Sequence, residues 1–192
     1  MQGCRLSADD LACRRGERVL FAGLSLSLAP GEALHVAGPN GIGKSSLLRI
    51  LAGLLRPFAG TVSREGGIGL IDERPALDPA LPLGKALAFW QRLDGPADDQ
   101  LARLGLADLL DVPVRYLSTG QKKRAALARL LGQSAPVWLL DEPLNGLDHE
   151  AVVLVESITA EHCRAGGIAV IASHQPFAFE AMQRLELAEF AA

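Results

Sequence analysis

The chain has 192 residues, 49% of them apolar, and a formal net charge of −3 at pH 7. That length predicts one domain with a buried core, and the charge balance gives no reason to expect a nucleic-acid partner. No apolar run approaches the ~18 residues that a membrane helix needs. The first ten residues lack an apolar signal segment, which predicts a protein kept in the cytosol. Three cysteines without C-x-x-C spacing predict reduced thiols.

Short strands are predicted for the first 32 residues. Residues 24–28 alternate apolar and polar side chains, which is typical of a strand with one buried face. Pro30 and Gly31 predict a turn before the next strand. An antiparallel beginning of this kind favours a small β-layer ahead of the core.

Residues 38–45 fit G-x-x-x-x-G-K-[ST], the pattern of the phosphate-binding loop. An apolar run precedes the loop and a helical pattern up to Leu51 follows it, which is the context that the motif requires. Lys44 is expected to reach the β- and γ-phosphates, and the Ser45 hydroxyl to bind Mg²⁺. The sequence therefore predicts a nucleoside triphosphate site. Its candidate binding residues are Gly38, Pro39, Asn40, Gly41, Ile42, Gly43, Lys44, Ser45 and Ser46.

The middle of the chain interrupts the alternation of strands and helices. Short strands are predicted at residues 60–63 and 69–71, and a helical pattern then extends from residue 79 to residue 116. Turn signals within it lie at Gly95-Pro96 and at Pro113. This pattern predicts a helical subdomain inserted into the core at approximately residues 76–117.

Alternating strands and helices return in the last third. The predicted elements are a helix at 118–131 with Ser118 or Thr119 as N-cap, a strand at 137–140, a helix at 150–164 and a strand at 168–172. Such alternation implies a parallel sheet covered on both faces. Ligands of these sheets lie at the carboxyl ends of the strands, where Lys44, Asp141 and His174 are expected.

An acidic pair follows the strand at 137–140. Asp141 can hold Mg²⁺ through water, and Glu142 can take a proton from an attacking water. Alone, such a pair is usually a solvated turn. Downstream of a phosphate-binding loop, and followed by Pro143 and Asp148, it predicts hydrolysis of a phosphoanhydride.

Residues 117–121 read Leu-Ser-Thr-Gly-Gln and resemble the signature motif of ATP-binding-cassette (ABC) ATPases, usually Leu-Ser-Gly-Gly-Gln. Leu147-Asp148 resembles the D-loop of that family, and His174 lies where its switch histidine lies. The resemblance covers nearly the whole chain. It implies an α/β P-loop NTPase fold, with a mostly parallel core sheet, an N-terminal antiparallel β-layer and an inserted helical subdomain.

The same resemblance implies roles for individual residues. Glu142, His174 and Lys44 would be catalytic, with His174 on the γ-phosphate of ATP. The signature and D-loop residues would contact the nucleotide held by a second cassette, so that ATP joins two chains as a homodimer. They are Ser118, Gly120, Gln121 and Asp148. His35, His149 and His162 have no such placement and are expected to be structural or exposed.

Two positions depart from the family pattern. Glu73 takes the place of the Q-loop glutamine, which contacts Mg²⁺ and the membrane subunit. Ser45, Asp141 and Glu73 are therefore the candidate metal-binding residues. An aromatic residue that stacks on adenine is expected near residues 13–15, where Cys13-Arg14-Arg15 stands instead. The planar side chain of an arginine, or Phe21 nearby, is then the candidate for stacking.

Residues 18–25, the non-glutamine Q-loop and residues 173–176 together resemble the haem exporter A type, the ATPase of the bacterial cytochrome c maturation complex. This resemblance implies docking on integral-membrane subunits at the cytoplasmic face of the inner membrane. Hydrolysis would drive haem delivery there. Other readings stay open: an ATPase for another small-molecule, metal or lipid exporter, a soluble ABC protein acting on nucleic acid or ribosomes, or a module that senses ATP without hydrolysing it.

Overall fold

The computed structural model describes residues 3–94, 98–177 and 182–191. Its strands are β1 (Arg5–Arg15), β2 (Arg18–Leu28), β3 (Ala33–Ala37), β4 (Ala59–Glu65), β5 (Ile68–Ile71), β6 (Val137–Asp141), β7 (Ile168–Ala172) and β8 (Gln183–Glu186). Its α-helices are α1 (Lys44–Leu51), α2 (Leu83–Asp94), α3 (Asp98–Arg103), α4 (Thr119–Gly132) and α5 (His149–Arg164). Short 3-10 turns lie at Ala107–Leu109, Val114–Tyr116 and Leu187–Phe190.

The N-terminal part is a three-stranded antiparallel sheet in the order β2-β1-β4. The prediction of several short strands was wrong, because β1 and β2 are single strands of 11 residues each. Their pairing is irregular between Ala8 and Leu11 and again on both sides of Cys13. Each irregularity shifts the inward and outward alternation by one residue, so a long strand has the sequence pattern of short ones.

The core sheet has five parallel strands in the order β5-β6-β7-β3-β8. Because all five run the same way, their carboxyl ends share one edge. That edge carries the loop after β3, the acidic end of β6, the segment after β5 and Ser173 after β7. The parallel sheet and the antiparallel layer were both predicted, and both are confirmed.

Both faces of this sheet are buried, as the unbroken apolar runs predict. Along β6, Val137 and Leu139 pack with α1 and the antiparallel sheet, whereas Trp138 and Leu140 pack against the helices of the other face. All five residues of β6 are buried, Asp141 included. Two apolar cores therefore hold β6 in place, and this packing also fixes the position of the acidic residues at its end.

The segment between β5 and β6 contains helices, as predicted, with α2 packed on α4. The turn predicted at Gly95-Pro96 lies outside the described residues. That residues 76–117 form an inserted subdomain stays a prediction. Strand β8, with the sequence Gln-Arg-Leu-Glu, was not predicted. In the part of the chain that the structure describes, no helix combines the length and apolarity needed to cross a membrane.

Candidate nucleotide-binding site

The loop between β3 and α1 has the backbone conformation of a phosphate cradle. Gly38, Gly41 and Gly43 have φ values of 142°, 81° and 119°, which glycine adopts without the strain that a side chain would add. Gly43 is the N-cap of α1, so the unpaired N–H groups of the first helical turn face the loop. Such a helix start attracts anions.

Lys44 is buried, with 5% of its surface exposed. Its ammonium donates hydrogen bonds to the carbonyl oxygens of Gly38 at 2.8 Å and Pro39 at 3.3 Å. The same Nζ lies 3.5 Å from Glu142 Oε1. The lysine therefore contacts both the main chain of the loop and the acidic end of β6.

A cavity of about 430 Å³ opens above the loop. Its lining residues that were predicted as site residues are Asn40, Gly41, Gly43, Lys44, Ser45, Ser46, Glu73 and Glu142. Leu20 and Asn145 also line it and were missed. Leu20 carries no signal beyond strand apolarity, and Asn145 follows the acidic pair at a position that no motif singled out. The cavity thus joins the loop to the ends of β5 and β6.

Asp141 lies between the loop and the sheet and is 3% exposed. Burial raises the pKa of Asp141, and the negative charges of Glu142 and Glu73 add to the rise, while a hydrogen bond from Ser45 and the charge of Arg49 oppose it. Its Oδ1 atom is buried without a hydrogen-bond partner among the described residues. A buried carboxylate with an unpaired oxygen suits a cation.

Ser45 and Asp141 fit a magnesium ion shared with a nucleotide. Mg²⁺ usually takes one or two protein oxygens and completes its shell with phosphates and waters. Accordingly, no cluster of three or more His, Cys, Asp or Glu that could hold a metal occurs in the described parts of the chain. Glu73 is exposed and lines the same cavity, so it stays a candidate ligand of such an ion.

Glu142 contacts two of the other predicted catalytic groups. Its Oε2 lies 2.9 Å from Nδ1 of His174, which completes a chain from Lys44 through Glu142 to His174. Glu142 is also one of three non-glycine residues with positive φ among the described ones, at 46°. Its N–H donates to the carbonyl oxygen of Ala172, at the end of β7, over 2.8 Å. Backbone strain of this kind is concentrated at functional sites.

Comparison with known proteins agrees with this geometry, since residues 21–145 match the model of a family described as ABC transporter. The chain belongs to the ABC transporter family. The cytochrome c biogenesis ATP-binding export protein CcmA of Novosphingobium aromaticivorans is 62% identical over 191 residues, which cover 99% of each chain. The protein of the same name from Sphingopyxis alaskensis is 50% identical over 94% of this chain and 95% of the relative. The chain is therefore also a member of this family of export proteins, and the resemblance to the cytochrome c maturation ATPase is confirmed.

Solved structures show the same ABC fold. An ATP-binding subunit of an ABC transporter superposes with a TM-score of 0.80 at 22% identity, over 88% of this chain and 79% of that one. A Clostridium perfringens protein that is part of an ABC transporter complex gives 0.72 at 27% identity, over 88% and 78%. The predicted fold class is confirmed.

The ABC signature residues lie at the start of α4. Ser118 is the N-cap: its hydroxyl accepts from the Gln121 N–H at 3.1 Å, and the Gln121 side chain accepts from the Ser118 N–H at 2.8 Å. This is a capping box. Gly120 packs against the loop before α5, where a Cβ would lie 3.0 Å from the carbonyl oxygen of Gly146. Among the described residues that line the cavity, none comes from the signature.

Asp148 of the D-loop has a structural role within this chain. It is the N-cap of α5, and its Oδ1 accepts from the Ala151 N–H at 2.8 Å. His149 is exposed, whereas His35 is buried with its Nε2 3.1 Å from the carbonyl oxygen of Ser173. His162 stacks on Trp138 with ring centroids 3.8 Å apart. These histidines are structural or exposed, as predicted.

Phe21 does not stack on a base, so that candidate was wrong. Phe21 is fully buried beneath the loop, with its ring 3.2 Å from where a Cβ of Gly43 would lie. The Arg14 guanidinium lies over the ring of Phe58, 4.6 Å from its centroid. Leu20, next to Phe21 on β2, is the side chain of this region that lines the cavity.

Proposed function

We propose that the chain is the ATP-hydrolysing subunit of a membrane export complex of bacterial cytochrome c biogenesis, and that hydrolysis powers haem export or delivery. The observation that carries the proposal is the contact of Glu142 with Lys44 and His174 beside the phosphate loop. The printed names of the relatives support the cytochrome c role, because they describe ATP-binding export proteins. Haem as cargo rests on the resemblance to the haem exporter A type.

The predicted catalytic residues and the loop then have distinct chemical roles. The N–H groups of the loop and Lys44 hold the β- and γ-phosphates, Glu142 accepts a proton from the attacking water, and His174 contacts the γ-phosphate. Ser45 and Asp141 would hold Mg²⁺, and Glu73 would be a third oxygen ligand from the same cavity. Mg²⁺ bound with the nucleotide neutralises charge that develops on the γ-phosphate.

The proposed function requires two kinds of partner, a second copy of the chain and integral-membrane subunits. A second copy would supply Ser118, Gly120, Gln121 and Asp148 to the nucleotide held by the first. Integral-membrane subunits would hold the pair at the cytoplasmic face of the inner membrane, so that membrane association occurs through these partners alone. The net charge of −3 supports a protein partner over nucleic acid.

Glu142→Gln tests the hydrolytic role. The variant should bind ATP with wild-type affinity, while kcat falls roughly 10²–10⁴-fold, because a positioned general base contributes that much. The measurements are a steady-state ATPase assay and an ATP dissociation constant. Glu17→Gln, which changes an exposed glutamate at the turn between β1 and β2, is the matched control. A wild-type rate in Glu142→Gln would show that Glu142 is not the base.

Isolation of the intact complex from membranes tests the cytochrome c role. The chain should co-purify with integral-membrane subunits, and the absorbance spectrum of the complex should contain the Soret band of haem. Complexes assembled with Glu142→Gln should retain haem when ATP is added, whereas wild-type complexes release it. Recovery of the chain with ribosomes, or with membrane subunits that carry no haem in either case, would contradict this cargo.

A further inference from the structure

Lys123 is a half-buried cation that the predicted catalytic set does not include. It lies in the first turns of α4, five residues after the signature serine Ser118. Its ammonium donates a hydrogen bond to the main-chain carbonyl oxygen of Glu142. Lysine is rarely buried without a partner, so this contact is a specific link between the signature helix and the end of β6.

The charges around Lys123 are those of the proposed catalytic site. Burial lowers the pKa of Lys123, while the carboxylates of Glu142, Asp141 and Glu73 oppose that shift. The charge of Lys123 is therefore coupled to all three acidic residues of the site. Lys44 approaches Glu142 from the loop side, at 3.5 Å.

The main chain of Glu142 depends on this link. With a φ of 46°, Glu142 is held in a left-handed conformation that is strained for a non-glycine residue. Such a conformation persists only where its surroundings hold it. The N–H of Glu142 is held by the carbonyl of Ala172 at 2.8 Å, and its carbonyl oxygen is held by Lys123.

We propose that Lys123 is a positioning residue that holds the main chain of Glu142 so that the carboxylate points into the nucleotide cavity. The proposal rests on the proposed role of Glu142 as general base. It also connects two sites, because Lys123 and Ser118 lie on one rigid helix.

Lys123→Met is the test, since methionine keeps the length of the side chain and removes its charge and its N–H donors. We expect kcat to fall about 10- to 100-fold, because small displacements of a catalytic group cost that much. The ATP dissociation constant should change less than about threefold, because the phosphate loop is untouched. Lys123→Arg, which keeps a charged donor, should recover most of the rate.

Lys122→Met is the matched control. Lys122 precedes Lys123 on α4, and its ammonium also donates to a carbonyl oxygen, that of Arg115, away from the cavity. The Lys122→Met variant should keep the wild-type rate.

Thermal unfolding of each variant shows whether it folds. Lys123→Gln, which keeps one N–H donor group, replaces Lys123→Met if the latter unfolds. Equal rates in Lys123→Met and Lys122→Met, or parallel losses of kcat and ATP affinity, would overturn the proposal.

A double-mutant cycle separates positioning from general support of the fold. If Lys123 acts through Glu142, adding Lys123→Met to Glu142→Gln should change the single-turnover rate less than about twofold. Multiplying effects would overturn the proposal. The two proposals fail differently: a wild-type rate in Glu142→Gln defeats the role of the base, whereas a dead Glu142→Gln with a fully active Lys123→Met defeats only the role of Lys123.

Discussion

Glu73 is a predicted site residue that departs from the ABC pattern, since we expect this carboxylate at the place of the neutral amide of the Q-loop. It faces the cavity, and its charge contributes to the raised pKa of Asp141. Arg49, which pairs with Asp72 at 3.6 Å, offsets part of this negative potential. Bound Mg²⁺ would offset more. The consequences of Glu73 should therefore be largest in metal-free protein.

Glu73→Gln should stabilise the metal-free protein in a pH-dependent way. Because the pKa of Asp141 is raised in the folded state, folding stability falls as pH rises through that pKa. Removing the charge of Glu73 lowers the pKa of Asp141 towards its usual value of about 3.9. The free energy of unfolding of the variant should therefore fall less than that of the wild type as the pH rises. The gain should appear near pH 7 and disappear near pH 4, measured as unfolding free energy in EDTA.

The affinity for Mg-ATP gives the matching functional measurement. Glu73→Gln should leave it within about tenfold, ~1.4 kcal/mol, and should tighten metal-free ATP. It should also change how strongly membrane subunits stimulate hydrolysis. Glu17→Gln, at the exposed turn between β1 and β2, should change none of these quantities. A Glu73→Gln variant that behaves like this control would mean that Glu73 only faces solvent.

At the residue scale, the backbone of the loop could be predicted from the sequence, because the motif requires glycine at fixed positions, whereas the roles of the loop residues stay predictions. The glycines, Lys44 and Ser45 follow from the loop pattern, and the structure gives the glycines the positive φ values that the pattern requires. Phe21 was misjudged for a physical reason. Adjacent strand residues point to opposite faces, and the irregular pairing around Cys13 decides whether Leu20 or Phe21 faces the cavity. No sequence pattern encodes those irregularities.

Elements with a strong local signal were also predictable, and edge elements were not. Ser118, followed three residues later by Gln121, is a capping box that can be recognised from sequence, and α4 begins there. In contrast, β8 has one apolar residue in four and, among the strands that the structure describes, pairs only with β3 at the edge of the sheet. Its strand conformation comes from that pairing and not from its own composition.

The start of α4 allows the capping role of Ser118 to be separated from its proposed role at the partner's phosphate. Ser118→Ala removes the cap and should cost about 1 kcal/mol, or about 2–4 °C in Tm for a chain of this size. Ser118→Asp keeps a good N-cap and should leave Tm within about 2 °C. Its charge should nevertheless repel a phosphate.

ATP-dependent dimerisation and hydrolysis are the readouts. Both should be lost in Ser118→Asp, because placing like charges together costs several kcal/mol. Ser118→Ala should retain more activity than Ser118→Asp in spite of its lower Tm. If activity instead follows Tm across the two variants, the serine acts only as a helix cap.

At the scale of the whole molecule, the signature residues lie outside the lining of the nucleotide cavity. The cavity is lined by the loop and by the segments after β5 and β6, whereas Ser118 is exposed at the start of α4. No signature residue is among the described residues that line the cavity. A second copy related by two-fold symmetry would bring its signature to the cavity of the first, and the reverse, because the same patch serves on both sides of such an interface.

Mixing two inactive variants tests this arrangement directly. In a mixed pair of Lys44→Ala and Ser118→Asp chains, one composite site combines both defects and the other combines an intact loop with an intact signature. The mixed pair should therefore have at most one working site, and thus at most half the activity of a wild-type pair. Each variant alone should be inactive, and activity should appear only after the two are mixed.

The alternative, a site complete within one chain, predicts a different result. Every chain in the mixture would then carry a defect in its own site, and mixing would restore nothing. Sedimentation with ATP must show that the variants pair, so that absence of recovery counts against shared sites and not against mixing. Recovery that saturates as total protein rises would measure the affinity of the pair, since the active species forms by association.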